Sequence, residues 1–127
     1  MEIQKFQNSL IAFDFDNEIV NATDIIKAFP EKRMNDYLRL KQTKEFIDLL
    51  ENETGNPVTV IKQGGLEQGT WMHRLLAYDF AAWISPQFRL FIYQTFDNVL
   101  REKINNQQRQ LDYFWDKEDQ KDLYRKL

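Results

Sequence analysis

Apolar residues are densest between Gly69 and Phe91, and their spacing divides that stretch into two helices. Leu76, Phe80, Trp83 and Ile84 recur at helical intervals and draw one broad stripe. Ser85-Pro86 then interrupts it. Serine is a good N-cap and proline suits the first helical position, so a second helix is expected to start at this corner. Phe88, Ile92, Phe96 and Val99 give that helix its own apolar face. Two aromatic-striped helices meeting at a tight corner make a core around which the rest of the chain can organise.

The remaining pattern is shorter-ranged. Ser9–Phe13 and Glu18–Val20 read as strands, with Asp16-Asn17 at the tip of a hairpin and Phe13 and Phe15 on one face. Asn21 is a helix N-cap, with Asp24 placed to reach back in a capping box and Thr23 as the alternative cap. Ile25, Ile26 and Phe29 face inward, and Pro30 ends this helix. A second helix opens at Pro30 or Glu31, with Met34, Tyr37 and Leu38 on its apolar side. A third, capped by Thr43, buries Phe46, Ile47, Leu49 and Leu50 and stops at Gly55 in a left-handed cap. Pro57–Ile61 reads as a strand, Lys62–Gly65 as a turn and Leu66–Trp71 as the returning partner, forming a second hairpin or wing.

Beyond Arg101 neither glycine nor proline occurs. Leu100, Ile104, Gln107, Leu111 and Phe114 form a weak heptad, so the helix from Pro86 either runs on or breaks near Asn105. Leu111, Tyr113, Phe114, Trp115, Leu123, Tyr124 and Leu127 are too apolar for a solvated tail; the domain, a second copy or a downstream region is expected to cover them. The fold class is therefore α+β: a small domain over residues 1–100 with an N-terminal hairpin, short helices, a wing and a helix pair, plus a C-terminal helical extension over 101–127.

Composition narrows the chemistry. With ten Phe and three Trp in 127 residues the chain can bury a real core. Without cysteine there is no disulfide, no thiolate metal site and no thiol catalysis. The single histidine, His73, is read first as a structural or capping residue, with an ordering or phosphate-contacting role as its alternative. No Ser-His-Asp arrangement or dinucleotide motif emerges; Gly64-Gly65-Leu-Glu-Gln-Gly69 has the wrong spacing. No enzyme activity, metal or cofactor is expected. Nor is a transmembrane helix or secretory signal, which fits a cytoplasmic location. Net charge is −3, yet Lys32, Arg33, Arg39, Lys41 and Lys44 cluster against one acid, Asp36. Such a cluster is either a solvated helix face or a phosphate-contacting one, with Asn35, Gln42 and Asn56 available to read base edges.

Taken together, several segments carry a specific resemblance. Asn21-Ala-Thr-Asp24, Met34-Asn-Asp-Tyr-Leu-Arg39, Thr43–Asp48, Gly64-Gly65, Gly69-Thr-Trp71 with His73, and the Leu76–Phe88 stretch containing Trp83-Ile84-Ser85-Pro86 resemble the KilA-N domain. That domain is a DNA-binding module of large DNA viruses and bacteriophages, similar in fold to fungal APSES domains. The resemblance covers roughly residues 10 to 100. It implies duplex-DNA binding in a phage or prophage antirepressor-like protein of transcription regulation, by a positioned helix aided by wing and backbone contacts. Asn21, Thr23, Trp71, His73, Trp83, Ser85 and Pro86 stand at signature positions, expected mostly to build the fold, with Trp83 in the core and Asn21 and Ser85 as caps. Arg74 stands where many members have proline and adds, with Lys62, a candidate phosphate contact. Asp16-Asn17 replaces a more usual glycine turn.

The leading expectation is a non-enzymatic module that binds double-stranded DNA through Lys32, Arg33, Arg39, Lys41 and Lys44. The alternative is a protein-interaction module occupying a repressor. A third reading is a homodimer through 100–127.

Overall fold

The computed structural model describes the backbone of residues 1–126 and side chains through Tyr113. Five strands, β1 (Glu2–Phe6), β2 (Ser9–Asp14), β3 (Ile19–Asn21), β4 (Thr59–Lys62) and β5 (Gly69–His73), form one sheet in the order β1-β2-β3-β5-β4. Every pairing is antiparallel. The helices are α1 (Ala22–Ala28), α2 (Met34–Leu38), α3 (Lys41–Thr54), α4 (Arg74–Ile84) and α5 (Pro86–Lys126). The expected α+β class, hairpin, wing and helix pair are all present.

The chain divides into two units, residues 1–94 and 95–127. In the first, Ile11, Phe13, Val20, Ile25, Trp71 and Leu76 are fully buried. Phe6, Phe29, Phe88 and Phe91 pack ring to ring at centroid distances of 5.0–5.9 Å, closing the core beside the Ser85-Pro86 corner. Phe13 stacks on Phe15 at 5.1 Å, so the two share a face as expected. The second unit is helical, with residues 101–113 exposed throughout. The helix does not break at Asn105. Within this chain Leu111 and Tyr113 are exposed, so the domain does not cover them. The side chains of Phe114, Trp115, Leu123 and Tyr124, and all of Leu127, lie outside the described residues.

One strand is added to the expected elements, and three local expectations are corrected. β1 was not anticipated, because the turn to β2 is made by Gln7 in a left-handed conformation (φ 53°), with no glycine to mark it. α2 starts at Met34, not at Pro30 or Glu31; Lys32 N–H donates to the Phe29 carbonyl at 2.9 Å and closes a separate turn around the proline. Thr43 does not cap α3 but lies buried inside it, with Leu40 at the cap position. Leu49 is 54% exposed, so the buried face of α3 is narrower than the apolar run suggests.

Candidate nucleic-acid interface

α2 and α3 are joined by only Arg39-Leu40, which makes them a compact helix-turn-helix. The corner closes through Arg39 N–H to the Asn35 carbonyl (3.0 Å) and Leu40 N–H to the Tyr37 carbonyl (3.2 Å). Tyr37 anchors the pair. Its ring lies against Phe80 and Trp83 at 4.9 and 5.6 Å, and its hydroxyl donates to Asp79 Oδ2 on α4 at 2.6 Å. Burial, then the Asp79 carboxylate, push the phenol well above its usual pKa, so it stays a donor.

The start of α3 is electrostatically open. No side chain caps it and its first turn holds no acid. Lys41, Gln42 and Lys44 are exposed there. Unmet N–H groups and the positive end of the helix dipole favour an anion at this position. Lys41 has only Glu45 at 4.0 Å, an exposed pair of little worth. The far end of α3 is closed: Gly55 takes φ 71°, and Glu51 Oε2 accepts from Val58 N–H at 3.0 Å. Asn56 is used in the same place, its Nδ2 donating to the Thr54 carbonyl at 3.1 Å.

Lys32, Arg33, Asn35 and Arg39 come together with Ile26, Met34 and Asp36 around an open cleft of about 470 Å³. Arg39 pairs with Asp36. Lys32 Nζ lies 4.8 Å from the centroid of the Trp83 ring. Trp83 is accordingly half-buried, a correction to its expected place in the core: its outer face is covered by the lysine. Lys62 and Arg74 are placed apart from this cleft. Lys62 Nζ sits 4.6 Å over Trp71 and 3.5 Å from Glu67. Arg74 Nε is 3.2 Å from Glu18 Oε1 and its Nη1 reaches Tyr78 at 3.4 Å, leaving the side chain 23% exposed.

The signature residues around Asn21 tie the wing to the domain. Asn21 Oδ1 accepts from Asp24 N–H (3.2 Å), as an N-cap should, while its Nδ2 donates to the Gln68 carbonyl (3.1 Å). Thr23 Oγ1 accepts from Thr70 N–H at 2.9 Å and is not the cap. Asp24 does not reach back in a capping box; its Oδ2 accepts from Ala12 N–H on β2 at 3.0 Å. A Cβ at Gly69 would stand 2.7 Å from Asn21 Oδ1 and 3.1 Å from Thr23 Cβ, at φ 139°. Trp71 Nε1 donates to the Glu67 carbonyl at 2.7 Å. The motif was visible in sequence; its partners Glu67 and Gln68 were not, because they offer backbone carbonyls that any residue supplies.

At the next corner, His73 Nδ1 caps α4 by accepting from Leu75 N–H at 3.1 Å, the structural role expected first. Burial lowers the His73 pKa, the Glu18 carboxylate 4.0 Å away opposes this, and Arg74 adds to it. Ser85 Oγ accepts from Phe88 N–H at 3.1 Å and caps α5, with Pro86 in the first turn.

Among the described residues no group of His, Asp and Glu could hold a metal ion, and no helix is long and apolar enough to cross a membrane. No solved structure matches the chain. Protein kilA of Escherichia phage P1 is 43% identical over 60 residues, which are 47% of this chain and 22% of that protein. The chain thus spans less than a quarter of that relative's length. The KilA-N domain matches over residues 4–102, from β1 into α5. By that extent, the chain belongs to the KilA-N domain family.

Proposed function

We propose that this chain is a non-catalytic duplex-DNA-binding module of a phage-type, antirepressor-like regulator. α2 and α3 act as the helix-turn-helix, and the first turns of α3 enter the major groove. One observation carries this most: the start of α3 is uncapped, acid-free in its first turn and flanked by exposed Lys41 and Lys44. Lys32, Arg33 and Arg39 supply further phosphate contacts from the adjoining cleft. Asn35 and Gln42, exposed beside these bases, are the candidates for reading adenine edges, worth roughly 1–3 kcal/mol of discrimination each when bidentate. Lys62, Arg74 and Asn56 are secondary contacts in this reading, because each is already engaged within the domain. We take residues 1–100 as the binding domain and 101–127 as its extension, working in the cytoplasm or nucleoid of a host cell.

The test is binding to mixed-sequence duplex DNA at two salt concentrations, beside a Lys41→Glu/Lys44→Glu variant. Each neutralised phosphate adds roughly 0.9 to the log–log salt slope, so the variant should lose about 1.8. No binding at low salt would sink this reading and turn attention to a repressor protein as the partner.

A second reading concerns α5. Ile104 and Leu111 are 63% and 51% exposed at heptad spacing, which favours a second copy of the chain as their cover. A solution mass near one chain would exclude a stable dimer.

A further inference from the structure

Leu66 is 93% exposed, more than any other large apolar side chain among the described residues. It stands in the wing loop between β4 and β5, directly after Gly64 and Gly65. Both glycines take left-handed φ, 75° and 76°, and nothing lies within 4 Å of where a Cβ would be. The backbone leading to Leu66 is therefore bare and can approach another surface closely. Below it the wing is held firmly. Asn21 grips the Gln68 carbonyl, Thr23 grips Thr70 N–H, and the Trp71 indole grips the Glu67 carbonyl. The one acid of the loop, Glu67, is paired with Lys62.

We infer that Leu66 is an apolar wedge for the minor groove of the duplex whose major groove receives α3. This rests on the DNA-binding reading above. A rigid base loses little freedom on binding, so the tip is delivered pre-organised. Bare glycines let the backbone follow a narrow groove, and the exposed amides of Gln63 and Gln68 flank the leucine with donors suited to minor-groove acceptors. With Glu67 neutralised, the loop does not repel the phosphates. Inserting an aliphatic side chain between base pairs unstacks one step and kinks the duplex, at least cost where a pyrimidine precedes a purine.

The experiment compares the full chain with Leu66→Ala on an end-labelled duplex of on the order of 30 base pairs, reading affinity, salt slope and end-to-end distance by energy transfer. So exposed a side chain carries none of the fold, and equal melting temperatures would verify that. The wild type should shorten the end-to-end distance. Leu66→Ala should bind roughly tenfold more weakly, leave the duplex straight and keep the salt slope unchanged. Equal affinity and equal bending in the two proteins would overturn the wedge. If the wild type binds with a steep salt slope and Leu66→Ala equals it in affinity and bending, only this inference falls. If the wild type does not bind at all, the DNA-binding reading falls and the wedge with it. Loss of a protein partner in Leu66→Ala with DNA binding and bending intact would overturn it in favour of a protein-docking tip.

Discussion

The polar groups around Asn21 and those at the start of α3 are put to opposite uses. Asn21, Thr23 and Asp24 each hydrogen-bond to a backbone group of another segment: Gln68, Thr70 and Ala12 respectively. Asn21 is 1% exposed, and nothing of its hydrogen-bonding capacity faces solvent. At α3 no side chain meets the first N–H groups, and the lysines there reinforce a helix end that is already positive. The acids Glu51 and Glu53 sit in the last turn, where they also oppose the dipole. A charge arrangement that weakens the helix at both ends is poor design for stability and good design for holding an external polyanion. In this chain the recognisable motif uses its polar groups internally, and the proposed DNA-binding residues lie where polar groups are left open.

The strongest way to break the closed cluster is Gly69→Ala. The added methyl would stand 2.7 Å from Asn21 Oδ1 at a φ that side chains rarely adopt. We expect a loss of about 3 kcal/mol. For a domain of this size that lowers the melting temperature by roughly 10–20 °C. A melting temperature within a few degrees of the wild type would show that the staple yields easily and does not hold the wing.

Lys41→Glu/Lys44→Glu probes the open cluster, and its effect should be all in binding. Duplex affinity is expected to fall on the order of a hundredfold at low salt. Folding should hardly change: acids in the first turn suit the dipole, while new i,i+4 repulsion with Glu45 and Asp48 removes that gain. A large drop in melting temperature would mean the lysines are structural and would erase the contrast. Thr23→Val sharpens it from the other side. The isosteric change leaves Thr70 N–H without its acceptor and should cost about 1–2 kcal/mol in chemical denaturation. Amide exchange should quicken at Thr70 and its neighbours in the wing, with α3 unaffected.

How much of this was legible in the sequence follows from which groups leave a signal there. Helix ends marked by side chains (Asn21, Ser85, Gly55) were readable because each needs a particular residue type. β1 was not, because Gln7 makes its turn in a conformation that usually announces itself with glycine. The basic cluster over 32–44 was visible as composition. That Lys32 covers Trp83, and that Arg74 is held by Glu18, depends on long-range neighbours that no local pattern encodes. Asp24 looked like half of a capping box by spacing, yet β2 offered it a partner twelve residues back.

The smallest expected effect concerns the end of α4, where, unlike at α3, the cap is a titratable ring. His73 Nδ1 must be unprotonated to accept from Leu75 N–H. Burial disfavours the charged ring; Glu18 opposes that and Arg74 reinforces it, and the folded pKa lies below the ordinary histidine value of about 6.5. The unfolded chain therefore takes up its proton first as pH falls. Stability is whole above about pH 6.5 and declines as pH drops from there through the folded value. Asp14, held low chiefly by the Asn17 side chain, works in more acidic solution and does not blur this window. His73→Asn keeps a capping oxygen and removes the titration. Denaturation measured at about pH 7.5 and about pH 5.5 should show a loss in the wild type that shrinks in the variant. If the two proteins lose stability in parallel, the cap does not sense the proton, and the Glu18 carboxylate compensates the ring's charge fully.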